Sequence, residues 1–545
     1  MGYPTKVQLI QRKSSEQWYI NFPAAIAHAM DFSRGETVEW SIEDRSLLAL
    51  RRLNAPPSPF KKNSTSILAS IQQLWRECSA AFDQRRVAER AEALSLSSLL
   101  CLGRHTITGL LTTCGQQFQD WSADYRLFSR QRLPMQDIFA VIRRAALQQL
   151  PAQGPLCVAL DDTLLRKTGI RIPGVAWRRD PLGPHFQNNF VRAQRVLQLS
   201  ADVGLPGGSH RLVPIDFLHA PTPLKPSSKA SEQQWAEYRQ HVRQSRLSLL
   251  ASQRMAALRQ AVDAEDGGCA RPLYVFVDGG FTNYTVLKTL PPRTVLVGRI
   301  RKDAKLYHLP PETQSCKKRG RPRRYGTPAA TPEQLRVDDH APWQTVPITI
   351  AAVTHHMRVK VCRDLLWRAA GLAHTLQLVV IAPLGYRLRT GSKLLYRQPA
   401  FLICTDPSMD LRTLLQGYVQ RWDIEVNFRE EKTLLGVGQA QVRDASAVQD
   451  IPALQVASYA MLLLGMISLQ KLCPRGDSLP KPKWAPARTP PRLSTQRGIN
   501  QLRAEVWGRA LGLTNFSDLL TCAPPVASPE KFLPHLPSAL LYATN

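Results

Sequence analysis

The sequence predicts an α/β protein built on an open sheet, and three observations carry that prediction. Leu156-Cys-Val-Ala-Leu160 is a short apolar run that ends in Asp161-Asp162-Thr163. Leu273-Tyr-Val-Phe-Val277 is a second, ending in Asp278-Gly279-Gly280. Runs this short and apolar read as buried strands. Each delivers a carboxylate to its C-terminal end, the edge where open α/β sheets place their sites. The third observation is Tyr418-Val-Gln-Arg421-Trp-Asp-Ile-Glu425-Val-Asn-Phe428-Arg-Glu-Glu-Lys432. At about 100° per residue, Tyr418, Arg421, Glu425, Phe428 and Lys432 fall within roughly 80° on one helix face.

A core stripe would carry Leu and Val. This one carries a carboxylate flanked by two cations and a phenol, which suits a metal ligand facing phosphates. Arg421 and Glu425 also form the i,i+4 pair that many surface helices carry for a few tenths of a kcal/mol. Each Asp taken singly would serve equally as a helix cap or turn residue. Two strand-end aspartates followed by a helix glutamate, however, are the ligand set of a two-metal phosphoryl-transfer site. Mg²⁺ takes oxygen ligands and keeps several waters. Two ions about 4 Å apart activate the attacking oxygen and stabilise the leaving one.

The Tyr418, Arg421, Glu425, Lys432 spacing resembles the signature of the IS-four-like superfamily of bacterial insertion-sequence transposases of the DDE type. The stretch Asp161-Asp-Thr-Leu-Leu-Arg-Lys-Thr-Gly169, followed by Asp180-Pro-Leu-Gly-Pro184, resembles the IS-seven-oh-one-like branch. The resemblance spans roughly residues 60 to 470. It implies an RNase H-like catalytic core that binds two Mg²⁺ or Mn²⁺ ions. It also implies Asp162, Asp278 and Glu425 as catalytic metal ligands, since the family motif has its Asp directly before Thr; Asp161 is the second choice. Tyr418, Arg421 and Lys432 are implied to touch transposon-end phosphates. The implied partners are double-stranded DNA, at transposon ends and target, and a second copy of the chain. The implied location is the bacterial cytoplasm, at the nucleoid. A DNA-binding regulator without chemistry and an RNase H-like nuclease without strand transfer are the rival functions.

Charge agrees with a polyanion partner. Among 545 residues the formal net charge is +29, and hydrophobic residues make up 44%, ample for a folded core. The polar first ten residues predict no signal peptide. Ile451 to Leu469 is apolar, but Pro452, Gln455 and Ser458 within it favour a core helix over a membrane span. The ten cysteines include no Cys-x-x-Cys pair, which argues against a zinc ribbon and suits a reducing cytosol.

The elements follow in order. Residues 1–53 form a small β-rich unit, with strands at Lys6–Ile10, Trp18–Pro23, Glu36–Ile42 and Ser46–Arg51 and a helix at Ala24–Met30. This order resembles the swapped-hairpin DNA-binding domains of AbrB and MazE-type regulators, which implies DNA binding or dimerisation. Asn54-Ala-Pro-Pro-Ser-Pro59 is a linker. Residues 60–150 are helical, with Arg104-His105-Thr106 through Leu111 either a recognition turn or part of a plain bundle. The core covers 151–300 and 408–473. Its strands are Leu156–Asp161, Arg195–Asp202, Arg211–Phe217, the run ending at Asp278, and Thr294–Ile300, with one long polar helix at Glu232–Val262. Asp202 and Asp216 read as turn residues. Residues 301–407 are a β-rich insertion with strands at Val346–Val353, Met357–Cys362, Leu376–Ile381 and Phe401–Thr405. Trp343 and Trp367 within it are either base stackers or core. The insertion carries Lys317, Lys318, Arg319, Arg321, Arg323 and Arg324, a basic run around an Arg-Gly-Arg-Pro core that predicts DNA contact. Residues 474–545 are a basic, Pro-rich tail with one helix at Ile499–Leu511.

Overall fold

The computed structural model describes residues 7–12, 15–20, 37–42, 48–52, 66–180, 183–184, 186–187, 189–205, 208–265, 267–311, 323–350, 352–387, 391–472, 479–484, 492–513 and 535–543. Two antiparallel hairpins come first: β1 (Val7–Arg12) with β2 (Ser15–Ile20), and β3 (Val38–Ile42) with β4 (Leu48–Arg52). The helix expected at Ala24–Met30 lies outside the described residues.

Five helices follow: α1 (Ile67–Cys78), α2 (Arg85–Leu100), α3 (Ile107–Thr113), α4 (Ser122–Ser129) and α5 (Met135–Gln148). Ser66 and Thr106 start α1 and α3, their hydroxyls accepting from the N–H groups of Ala69 and Gly109. Ile107, Leu110 and Leu111 of α3 are buried and His105 is only 2% exposed, so this segment packs as bundle.

The central strands are β5 (Leu156–Arg166), β6 (Ala176–Arg179), β7 (Phe190–Gly204), β8 (His210–His219), β9 (Leu273–Val277) and β10 (Thr294–Arg299). They lie in the order β8-β7-β5-β9-β10, with β6 on the far part of β7. β9 runs parallel to β5 and β10 to β9, while β7 and β8 are antiparallel. This mixed sheet with its helices is consistent with an RNase H-like core. One long helix was expected between β8 and β9; the chain instead forms α6 (Glu232–Gln244) and α7 (Leu247–Asp263). The break falls where burial changes: α6 buries no residue, whereas α7 buries Ala251, Met255, Leu258 and Val262. A short helix α8 (Tyr284–Lys288) follows β9.

The insertion continues the sheet. Its elements are β11 (Leu306–His308), α9 (Pro332–Val337), β12 (Gln344–Ile350), β13 (Val353–Trp367), β14 (Gly371–Ile381), the small hairpin β15 (Gly385–Tyr386) and β16 (Leu395–Tyr396), and β17 (Ala400–Cys404). β17 pairs with β10, β14 with β17, and β13 with β14, so one sheet of eleven described strands runs through core and insertion. Trp343 and Trp367 are partly buried against the main core, and Lys360 Nζ lies 4.6 Å from the Trp343 ring.

Five helices follow among the described residues: α10 (Leu411–Gln420), α11 (Asp423–Thr433), α12 (Ala445–Leu472), α13 (Thr495–Trp507) and α14 (Leu536–Leu541). α12 is the one described helix long and apolar enough to cross a membrane, yet 94% of its most apolar window is buried within the protein. It packs between β8 and helices α1, α2 and α5, as a core helix does. α10 approaches the sheet closely because Gly417 has no side chain: a Cβ there would meet the Phe276 ring at 2.0 Å.

Candidate active site

The register of β5 against β9 positions the first two carboxylates. Leu156 pairs with Leu273, and the parallel match continues through Ala159 with Phe276 and Leu160 with Val277. One step on, Asp161 and Asp278 occupy corresponding places in neighbouring strands about 4.8 Å apart. Side chains alternate along a strand, so Asp161 shares a face with Ala159. That is the face covered by α11: Ala159 packs with Ile424 and Phe428 in one apolar cluster.

Asp162 points the other way. Its Oδ2 accepts from Arg195 Nε at 2.6 Å, on the opposite face of the β5–β7 pair. The residue expected first, Asp162, thus faces Arg195, whereas Asp161, the second choice, faces Arg421. The reason is strand alternation: only every second residue of β5 can meet Asp278.

Glu425 approaches the same strand ends from α11, with Arg421 between it and Asp161. The expected single helix across Tyr418 to Lys432 is tightened and broken at Arg421-Trp422, where Trp422, Ile424 and Glu425 donate three residues back rather than four. Arg421 remains in the middle. Its Nη1 donates to Asp161 Oδ2 at 3.2 Å and its Nη2 to Glu425 Oε1 at 3.4 Å. Its guanidinium carbon sits 5.6 Å from the Tyr418 ring. Asp278 is fixed by the turn after β9, its Oδ1 accepting from Gly280 N–H at 2.9 Å.

Electrostatics mark these groups as one cluster. Burial, and then the neighbouring Asp278 charge, push the Asp161 carboxyl up to about 7 against the pull of Arg421. Burial also raises Glu425, with Arg421 opposing and Asp278 adding. Burial raises the Tyr418 phenol, with Arg421 and Arg299 opposing and Asp278 and Glu425 adding. At the far end of α11, Lys432 Nζ donates to Thr163 Oγ1 at 2.6 Å, two residues beyond Asp161 on the same face.

The family described as DDE superfamily endonuclease matches residues 77–370, more than half of the 545-residue chain. The chain belongs to the DDE superfamily endonucleases. No curated protein matches it. The matched range contains Asp161 and Asp278 and ends before Tyr418, so the place of Glu425 in this endonuclease rests on the geometry above. Endonucleases of this superfamily generally work with divalent metal ions.

The remaining expected site residues divide. Arg323 and Arg324 are exposed at the end of the basic run, whereas Lys317, Lys318, Arg319 and Arg321 lie outside the described residues. Asp202 and Asp216 stay away from the cluster. Asp202 binds His210 Nδ1 at 3.1 Å, and Asp216 accepts from Arg254 Nε at 2.6 Å.

Sequence reading missed the group that holds α11 in place. Arg211 of β8 is fully buried, and its Nη2 donates to Glu430 Oε2 at 2.9 Å and to Tyr459 Oη at 2.8 Å. Arg492 joins Asp423 and Glu430, each at 2.8 Å, and Thr495 Oγ1 donates to Glu430 at 2.6 Å. Within the expected basic, Pro-rich tail, residues 492–497 thus form a brace behind the helix that carries Glu425. Burial alone would raise Glu430, yet Arg211 and Arg492 hold it down to about 2. The available signal was Arg211 itself, a lone cation inside an apolar strand.

The next residue behaves oppositely. Glu431 is enclosed and accepts from Gln198 Nε2 at 3.0 Å. Burial raises it from the ordinary 4.5 to about 8. The folded chain holds this proton at neutral pH and the unfolded chain releases it. Its contribution to stability is therefore complete below pH 4.5 and is lost as pH rises through about 8. The slope is up to about 1.4 kcal/mol per pH unit. Urea midpoints should fall across this window in the wild type, and Glu431→Gln should flatten the decline.

Proposed function

We propose that this DDE superfamily endonuclease is a DNA transposase of the IS-four-like type, which cuts at the ends of a mobile element and joins the freed 3′-OH to target DNA. The observation that carries the proposal is Asp161 beside Asp278 in neighbouring parallel strands, with Glu425 tied to Asp161 through Arg421.

The donor set fits a hard divalent cation. All three groups are carboxylates, which suits Mg²⁺ or Mn²⁺, and burial, then the Asp278 charge, raises Asp161 against the pull of Arg421. Among the described residues no three His, Cys, Asp or Glu side chains already close on one point; Arg421 occupies the gap between Asp161 and Glu425. Asp161, Asp278 and Glu425 would hold two ions, which when bound supply a more acidic water and neutralise charge at the phosphate. Arg421, beside the Tyr418 ring, stands between the carboxylates; both would position the scissile strand, with Lys432 on a neighbouring phosphate. Little covalent chemistry falls to the protein in such reactions; positioning and charge do most of it.

Double-stranded DNA is the proposed partner, in line with the net charge of +29 and the basic run at 317–324. Synapsis of two element ends calls for a homodimer, for which the two N-terminal hairpins are the proposed contact. The cytoplasm, at the nucleoid, is the proposed location.

The test is incubation of the full chain with plasmid carrying the element's own ends in Mg²⁺. Cleavage at the element boundary is expected, and EDTA or Glu425→Gln should remove it. DNA binding without cleavage in either Mg²⁺ or Mn²⁺ would contradict the proposal.

A further inference from the structure

The outer part of the sheet carries a second surface that the catalytic cluster does not use. β6 pairs with the start of β7, placing Trp177 opposite Arg192 and Arg179 opposite Phe190. Cross-strand partners share a face, so four neighbouring positions alternate ring and cation in a checkerboard. Trp177 is 67% exposed and Phe190 is 58% exposed. Arg192 lies 6.0 Å from the Trp177 ring, and Arg179 is exposed. Ile170, 76% exposed, adjoins them, its carbonyl accepting from Arg192 Nη2 at 3.0 Å.

The same alternation fixes which side of the sheet this is. Asp161 pairs with Gln198, Thr163 with Val196 and Leu165 with Gln194. These β7 residues are even-numbered, as are Phe190 and Arg192. The ring-and-cation surface therefore lies on the Asp161 face. Contacts from the covering segment agree: Gln198 bonds Glu431, Thr163 bonds Lys432, and Lys167 Nζ donates to the carbonyls of Gly438 and Ala440. Arg192 is six residues along β7 from the partner of Asp161, roughly 20 Å at the usual strand rise.

We infer that this surface holds a DNA strand with unpaired bases, continuing from the strand held at Asp161, with Trp177 and Phe190 stacking on bases and Arg179 and Arg192 meeting phosphates. The inference rests on the proposed action on DNA. Soluble proteins seldom leave two large rings exposed in one patch without a use for them. Rings set among arginines are the chemistry by which single strands are held regardless of sequence, since every base has a stackable face. The nearby acid, Asp180, is engaged by Arg166 at 2.7 Å.

The test uses the full chain carrying Glu425→Gln, so that binding is read without cleavage. Anisotropy of labelled oligothymidylate and of a blunt duplex gives the two affinities. Trp177→Ala and Phe190→Ala should each weaken single-strand binding about tenfold and leave duplex binding nearly unchanged. Trp177→Phe should keep most of the single-strand affinity. Equal single-strand affinity in Trp177→Ala and Phe190→Ala would overturn the inference. So would a dimer by gel filtration that these variants split, which would make the patch a subunit contact. Failure here leaves metal-dependent cleavage by the unmutated chain standing. Absence of that cleavage, with single-strand binding still lost in Trp177→Ala, would remove the transposase proposal and keep this surface.

Discussion

Asp161→Asn should reduce metal-dependent DNA cleavage by more than about 100-fold, because residues that merely orient a metal ligand already cost 10–100-fold when removed. Asp162→Asn, one residue away, should cleave at close to the wild-type rate. The two substitutions are chemically identical, so the contrast isolates position. Asp161 extends the Ala159–Phe276 pairing onto the face where Arg421 and Glu425 stand. Asp162 sits on the reverse face in an ion pair with Arg195, with side chains 18% and 32% exposed. The amide in the Asp162→Asn variant keeps an oxygen that can accept from Arg195, so the Arg195 donor is not left without a partner and the urea midpoint should move far less than the cleavage rate does for Asp161→Asn. Initial rates on the same plasmid substrate check both halves.

The largest effect on stability is expected at Arg211. Removing one partner of a buried ion pair costs about 3–5 kcal/mol, because the remaining charge is stranded. Arg211→Met leaves Glu430 enclosed with Tyr459, Thr495 and Arg492, and removes the donor to the Leu493 carbonyl. These contacts join β8, α11, α12 and the start of α13, so the loss loosens the helix that carries Glu425. Urea unfolding should show the drop, and cleavage should fall with it. Adding Glu430→Gln to Arg211→Met should recover part of the lost stability, since Arg492 alone then no longer has to neutralise both Asp423 and Glu430. Full additivity of the two losses would instead mean that the groups are not coupled.

Much of this was legible in the chain. Both Asp-terminated runs became strands of one sheet, and the Tyr418–Lys432 segment came to lie over their ends. That Asp161, not Asp162, falls in register with Asp278 was legible too, had the two runs been aligned with each other. Leu156-Cys-Val-Ala-Leu-Asp161 and Leu273-Tyr-Val-Phe-Val-Asp278 are the same length, and the parallel register matches them residue for residue. The motif-based choice of Asp162 did not use that frame, and the proposal of Asp161 rests on it. The bend at Arg421-Trp422 was not legible, because both residues keep helical dihedral angles and only the hydrogen bonds tighten. Nor was the Arg492 brace. It joins residues 69 and 62 positions apart, and periodicity carries no information across a Pro-rich stretch. The checkerboard on β6 and β7 was hidden for a similar reason, since it exists only once Trp177 is set against Arg192.

The most direct test of the central claim is where the metal binds. Mn²⁺ binding to the full chain, followed by its electron paramagnetic resonance signal, can be compared in wild type, Asp161→Asn and Asp162→Asn. Tight Mn²⁺ binding by wild type and Asp162→Asn, lost in Asp161→Asn, is the predicted result. Loss in Asp162→Asn with retention in Asp161→Asn would contradict the site built on Asp161, Asp278 and Glu425.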